Sequence, residues 1–360
     1  MLEFSVEPKA NPTPAAEREA LIADPGFGKI FTDHMVIIDF TRGKGWHDPR
    51  VVARAPIPMD PASCVLHYAQ EIFEGMKAYP LADGTTALFR PDANARRFQQ
   101  SADRMAMPNL PEELFIESTK QLVRIDRDWI PQMDGGALYL RPFMIASEVF
   151  LGVRPADQYL YMVIASPVGA YFKGGAAPVT IWTSQHYSRA ANGGTGAAKC
   201  GGNYAASLVA QAEAIEQGCD QVVFLDAAEH KWVEELGGMN LFFRFDDGTM
   251  ITPPLTGTIL PGITRDSIIQ LARDEGIAIS EQRYSFDQWR EDANSGRLVE
   301  CFACGTAAVV TPVGTVKSAE GSFTIGGDQA GPVTARLRAR LVEIQRGQGA
   351  DPHGWVQRVG

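Results

Sequence analysis

A chain of 360 residues is longer than one hydrophobic core ordinarily serves, so two domains are expected. Hydrophobic residues make up 45% and charged residues 21%, as in a soluble globular protein. The net charge of -10, with both signs mixed along the chain, argues against nucleic acid as a partner, which needs a dense basic face.

The N-terminal stretch MLEFSVEPKANPTPAAE is polar and proline-bearing, without the apolar core of a signal peptide. Phe31 to Phe40 and Thr86 to Phe89 read as strands, and Arg90-Pro91-Asp92 leads into a charged helix through Met105. Ala137 to Ile145 and Gln158 to Ser166, rich in Leu, Ile, Val and Tyr, read as buried strands. The most apolar stretch, Tyr159 to Tyr171, breaks at Ser166-Pro167 and is too short to span a bilayer, so a cytoplasmic protein without a membrane partner is expected. Gly174-Gly175-Ala176-Ala177-Pro178 is the best linker, giving domains 1–172 and 181–360 joined by 173–180. Val179 to Thr183 restarts strand character. Tyr204 to Gln217 is expected to be a helix that buries Ala205, Leu208, Val209, Ala212 and Ile215 and stops at Gly218. After a short apolar strand, Val222 to Leu225, a second helix over Arg265 to Glu275 carries Ile268, Ile269, Leu271 and Ala272 and closes at Gly276. Mixed elements make the fold α+β or α/β, and periodicity does not choose between them.

Cys64, Cys200, Cys219, Cys301 and Cys304 are an odd, scattered set that reads as reduced thiols. Cys301-Phe-Ala-Cys304 is a lone CxxC. No second pair of ligands lies at zinc-site spacing, so buried thiols are expected and no metal.

Four segments carry chemistry. In Gly193-Gly-Thr-Gly-Ala-Ala-Lys199-Cys-Gly-Gly-Asn-Tyr204, a phosphate-cradling P-loop would need Gly before the lysine and Ser or Thr after it. Ala198 and Cys200 stand there instead. A flexible surface loop remains one reading, although Lys199 is the one charged residue between Asn192 and Tyr204. The other is a lysine among close-approaching backbones, partly desolvated and nucleophilic, able to form a Schiff base with a carbonyl ligand. Glu234 and Glu235 follow in an apolar frame. In a strand they face opposite sides, so at most one enters a site, where its charge would keep a pyridine nitrogen protonated. Leu260-Pro-Gly-Ile-Thr264-Arg265 turns into a helix whose free N–H groups suit phosphate, and Gly305-Thr306-Ala307 is a second small-residue turn.

Together with Phe31-Thr-Asp-His-Met35, Phe73-Glu-Gly-Met-Lys-Ala-Tyr79 and Leu138-Tyr-Leu-Arg-Pro142, the segments Lys199 to Tyr204 and Glu235-Leu-Gly-Gly-Met-Asn240 make the chain resemble a branched-chain amino acid aminotransferase of the fold-type IV pyridoxal-phosphate enzymes. The likeness runs from about Phe27 to Trp355. It implies a two-domain α+β enzyme with pyridoxal 5'-phosphate between a smaller N-terminal α/β domain and a larger C-terminal one. Lys199 matches the Schiff-base lysine and proton shuttle, Tyr204 the partner of the cofactor's phenolic oxygen, and Glu235 the partner of its ring nitrogen. Arg97, Ile263, Thr264 and Thr306 match the phosphate ligands. Phe27, Tyr68, Phe73, Tyr139 and Tyr171 match the aromatic wall around a branched side chain, whereas Tyr159 and Tyr161 read as core. Thr306-Ala307 matches the turn that holds the α-carboxylate, and Arg141 the arginine for a dicarboxylate's second carboxylate. Leu151 to Val153 matches a loop that reaches the neighbouring subunit, which implies a homodimer. The reaction implied is ping-pong transfer between leucine, isoleucine or valine and 2-oxoglutarate, giving glutamate.

Two departures stand out. Gly238 replaces a threonine that some relatives carry near the cofactor, and the redox CxxC of mammalian relatives falls at Ala308 and Thr311 here. The nearest alternatives are D-amino acid aminotransfer and aminodeoxychorismate lysis. From other classes, a non-catalytic ligand-binding protein is disfavoured by the presence of both Lys199 and Glu235, and a nucleotide-binding module by the failed P-loop match.

Overall fold

The apolar stretches of the first half pair with one another into one mainly antiparallel sheet. The computed structural model describes residues 2–169 and 177–360. Among these, the first sheet runs Ser5–Val6, Gly45–Ala53, His34–Thr41, Gln158–Val168, Ala137–Ala146, Met76–Pro80, Thr86–Phe89, Val356–Arg358, with Glu71–Phe73 also paired to Ala137–Ala146. Pro91 opens the helix Pro91–Arg104, its fixed φ suiting the first turn. With the helix Glu112–Ile125 it buries Phe98, Leu114, Phe115 and Leu122 in the core beside this sheet. Tyr159 and Tyr161 are 2% and 0% exposed, core residues as expected. The Tyr161 hydroxyl meets Ser118 Oγ at 2.9 Å, so burying it leaves no orphaned polar group.

The expected strand from Phe31 begins at His34, because the preceding residues clamp the N-terminal arm. Asp33 accepts hydrogen bonds from Lys9 Nζ (2.7 Å), Thr13 Oγ1 (2.8 Å) and the Thr13 N–H (3.0 Å), and Trp129 Nε1 adds a fourth at 3.2 Å. His34 Nε2 accepts the Lys9 N–H, and its Nδ1 lies 2.7 Å from Asp126. Burial alone would raise the Asp33 carboxyl, but these donors hold it down at about 2. A carboxyl depressed on folding contributes stability above its unfolded pKa and loses it as pH falls through the folded value. Asp33→Asn is therefore expected to cost about 1–2 kcal/mol at neutral pH and to flatten the loss of stability between pH 4 and 2. Denaturant melts across that range measure it; an unchanged acid limb would refute the clamp.

Two compact units divide the chain: Met1–Tyr171 with Ala198–Gly201 and Glu343–Gly360, and Phe172–Ala197 with Gly202–Val342. The expected domain 181–360 thus differs from the structure at both places where the first unit recruits later residues. The reason for the second is pairing: Val356–Arg358 hydrogen-bonds Thr86–Phe89. Half of the expected linker 173–180 lies outside the described residues, and Val179 already starts a strand.

In the second unit Val233–Leu236, Gln221–Leu225, Val179–Ser184, Val309–Ser318, Leu298–Gly305 and Met239–Phe245 follow one another, and Met239–Phe245 pairs back to Val233–Leu236. The six strands therefore close a barrel, with no free edge around it. Sheets of both pairing senses with separate helices make the fold α+β. Val223, Leu236, Leu241, Phe243, Ala303 and Val316 belong to its core. The helix Ile263–Asp274 buries Ile268, Ile269, Leu271 and Ala272 as expected.

The expected helix over Tyr204 to Gln217 is corrected twice. It breaks into Gly201–Ala205 and Leu208–Glu216, where the Ser207 hydroxyl donates to the Tyr204 carbonyl at 2.7 Å. Its buried face is Ala210 and Ala214, packed with Cys219, Val222 and Phe224. Leu208, Val209 and Ile215, expected inside, are 66%, 48% and 64% exposed. Two alanines at i, i+4 let the helix approach the strand Gln221–Leu225 closely, and the bulky residues turn outward.

Cys301 and Cys304 share the strand Leu298–Gly305, three residues apart, so they face opposite sides and cannot meet as a disulfide. Both are buried, and burial pushes both thiols up. No helix among the described residues is long and apolar enough to cross a membrane.

Candidate active site

The expected site residues fall on both units. In the first, Lys199 is fixed by its backbone. Its carbonyl accepts the Phe73 N–H at 2.9 Å and its N–H donates to Ser101 Oγ at 3.0 Å. Ala198 and Cys200, each 2% exposed, anchor it on either side. The next residue packs closely on Glu71, whose Oε1 would lie 2.3 Å from a Cβ on Gly201. So this glycine-rich segment is a packed support rather than a flexible surface loop. The Lys199 ammonium lies 4.8 Å from the centre of the Phe73 ring.

That ring is shared. Arg141 Cζ also lies 4.8 Å from it and 5.5 Å from the Tyr139 ring, and Arg141 Nη2 donates to the Tyr139 hydroxyl at 3.2 Å. Arg141 Nε is buried with no hydrogen-bond partner among the described residues. Phe27 meets Tyr139 edge-on at 5.0 Å. Gly75 makes room for this cluster, because a Cβ there would sit 2.1 Å from the Tyr139 hydroxyl. Tyr68 closes the helix Cys64–Tyr68, and its hydroxyl donates to the Leu151 carbonyl. Leu151 and Val153 are 58% and 87% exposed. Tyr171 lies outside the described residues.

Arg97, 6% exposed, is gripped by Glu74 through Nε and Nη2, both at 2.7 Å. Asn94 Nδ2 adds a 2.8 Å bond to the same carboxylate. Glu74 stands in the Phe73-Glu-Gly segment, but nothing in the sequence tied it to Arg97, 23 residues later.

In the second unit, the remaining residues gather at one end of the barrel. Glu235 and Asn240 face each other beside the hairpin turn at Gly237 (φ 56°) and Gly238. Asn240 pairs onward with Cys304, which brings the Thr306-Ala307 turn alongside. Gly262, immediately before the helix Ile263–Asp274, packs against Asn240: a Cβ there would lie 2.0 Å from its Oδ1. Ile263 and Thr264 thus open that helix at the same barrel end. The Tyr204 ring lies against Gly238, where an added Cβ would be 3.3 Å from it. The threonine of some relatives would press on this tyrosine.

Glu235 is 1% exposed. Its Oε1 accepts the Leu260 N–H (2.9 Å) and Asn240 Nδ2 (3.2 Å), and its Oε2 lies 2.6 Å from Arg189 Nε. Arg189, missed in the sequence for want of any local motif, also donates to the carbonyls of Gly196 (3.1 Å) and Thr258 (2.6 Å). Glu234 turns the other way as alternation requires. It accepts from Thr258 Oγ1 at 2.6 Å and lines a cavity of about 410 Å³ with Asp226, Trp232, Pro253 and Arg283. Burial raises its carboxyl.

A buried carboxylate paired to a guanidinium, a phenol, hydroxyls and a helix N-terminus at one barrel end, and a rigidly held lysine among aromatics, define a class. Amino-transferase class IV is the family whose model matches, over residues 71–316. The chain is 57% identical to the branched-chain-amino-acid aminotransferase of Mycolicibacterium smegmatis, over 99% of this chain and 98% of that one. It is 58% identical to the probable branched-chain-amino-acid aminotransferase of Streptomyces coelicolor, over 99% and 98%. Among solved structures, the Escherichia coli branched-chain amino acid aminotransferase matches with a TM-score of 0.74 at 30% identity, over 91% of this chain and 99% of that one. The branched-chain amino acid aminotransferase from T.th., solved with pyridoxamine 5'-phosphate, matches with the same score at 32% identity, over 90% and 98%. The chain belongs to the branched-chain-amino-acid aminotransferases of class IV.

Proposed function

We propose that this protein moves amino groups between L-leucine, L-isoleucine or L-valine and 2-oxoglutarate by a ping-pong cycle, with pyridoxal 5'-phosphate as its cofactor. The observation that carries this reading is the Glu235–Arg189 pair, a buried carboxyl group 2.6 Å from a buried guanidinium. Such a group fits a protonated pyridine nitrogen. When bound, the cofactor supplies an electron sink for the substrate's α-carbon.

The chain's own residues do the rest. Lys199 carries the cofactor and moves the proton to and from the substrate Cα. Glu235 holds the ring-nitrogen proton, and Tyr204 donates to the phenolic oxygen. Arg97, the N–H groups of Ile263 and Thr264, and the hydroxyls of Thr264 and Thr306 receive the phosphate; the grip of Glu74 on Arg97 supports a fixed fork there. The N–H groups of the Thr306-Ala307 turn hold the α-carboxylate. Phe27, Tyr68, Phe73, Tyr139 and Tyr171 exclude water around the branched side chain. Arg141, with its unpartnered Nε, takes the second carboxylate of glutamate.

The working form in this reading is a cytoplasmic homodimer in which Leu151 and Val153 serve the neighbouring copy. Their exposure, with Val149 and Leu66 each 58% exposed as well, supports that assembly, and a sedimentation mass of one chain would sink it. The test of function is the visible spectrum of the purified protein, followed on adding L-leucine without an oxo acid. A visible band that L-leucine discharges and 2-oxoglutarate restores is expected. Discharge by D-amino acids alone would leave the class standing and remove the substrate reading.

A further inference from the structure

An aminotransferase that alternates leucine with glutamate must shelter an apolar side chain in one half-reaction and a carboxylate in the other. The cation that welcomes the carboxylate is a burden when leucine is bound, since a half-sheltered guanidinium without a counter-charge is costly. Arg141 is such a cation, flanked by the Phe73 and Tyr139 rings with its Nε unpartnered.

Glu71 is placed to answer it. The strand Glu71–Phe73 pairs with Ala137–Ala146 in the register Glu71 to Ile145 and Phe73 to Phe143. Opposed residues share a face and alternate ones return to it, so Glu71, Phe73, Arg141 and Phe143 all stand on one face. The Glu71 carboxylate also accepts the Gly201 N–H, two residues beyond Lys199. It is thus tied to the lysine's support on the same sheet face that carries the arginine.

We propose that Glu71 is a specificity-determining residue, the resident counter-charge of Arg141 while a branched side chain is bound, and the competitor that a substrate's second carboxylate must overcome. The proposal rests on Arg141 receiving that carboxylate. Burial raises the Glu71 carboxyl, with the Gly201 N–H and Arg141 pulling against it, so its charge is held less firmly than that of an exposed glutamate. Glu71 therefore sets the balance between the two substrates without touching the reacting atoms.

The experiment measures binding of two unreactive probes, glutarate and 4-methylpentanoate, to the holoenzyme and its variants by calorimetry. Glu71→Gln keeps an acceptor for the Gly201 N–H and removes the charge. It should tighten glutarate about five- to tenfold, the size of a unit-charge effect at a partly buried site, and change 4-methylpentanoate less than about twofold. In an Arg141→Gln background the same substitution should do nothing to glutarate. Equal changes for both probes, or unchanged or weaker glutarate binding, would overturn the role of Glu71. If Arg141→Gln alone leaves glutarate binding unaltered, the reading of Arg141 beneath it fails instead. A melting curve shows whether Glu71→Gln folds; Glu71→Ser, which also removes the charge, replaces it if not.

Discussion

Lys199→Ala is expected to lower the rate of amino transfer on the order of 10⁴-fold or more, because the proposed mechanism assigns one side chain both the cofactor's attachment and the proton transfer. The backbone around it is held by Ser101, Phe73 and the buried Ala198 and Cys200, none of which the substitution touches. The variant should therefore melt close to the parent while losing activity. Small primary amines in solution should restore part of the rate by serving as the missing base. Single-turnover assays with L-leucine, with and without added amine, decide the matter; a variant retaining a tenth of the parent rate would remove Lys199 from its role.

Glu235→Gln should lose about 10²- to 10³-fold in rate, since an amide does not hold the ring-nitrogen proton as a carboxylate does. A second effect is separable from the first. Arg189 is 8% exposed and would be left buried without its charge partner, at a cost of roughly 3 kcal/mol that is present without cofactor. Denaturant melts of the cofactor-free protein measure this apart from activity. Glu234→Gln is the control, because Glu234 faces the cavity on the other side of the strand and bonds Thr258. It should stay within a fewfold of the parent rate. Equal loss in both variants would mean that the assignment to Glu235 rests on the wrong carboxylate.

Local sequence pattern marks the elements whose signal is local. Thr86–Phe89 is a strand at its expected residues, and Pro91 starts the expected helix. The α+β architecture and the family were legible because several long motifs fall in order along the chain. The face of the helix Leu208–Glu216 was not: periodicity finds the apolar stripe but does not say whether a protein interior lies against it, and here two alanines do the packing. Arg189 and Glu74 were invisible for a different reason. Each works on a partner 46 and 23 residues away, Glu235 and Arg97, and a lone arginine or glutamate carries no spacing to read. The clamp on Asp33 shows the converse. A motif that marks the family, Phe31 to Met35, holds the N-terminal arm in place.

The pairing of Val356–Arg358 with Thr86–Phe89 bears on how the polypeptide is made. During synthesis from the N-terminus, the edge of Thr86–Phe89 is exposed for the time needed to add roughly 270 further residues, tens of seconds at ribosomal rates. Throughout that interval the nascent first unit presents an open strand edge, the feature most prone to capture by another chain. Folding yield in the cell should thus depend on translation speed and on chaperones that cover this edge, more than on the stability of the finished enzyme.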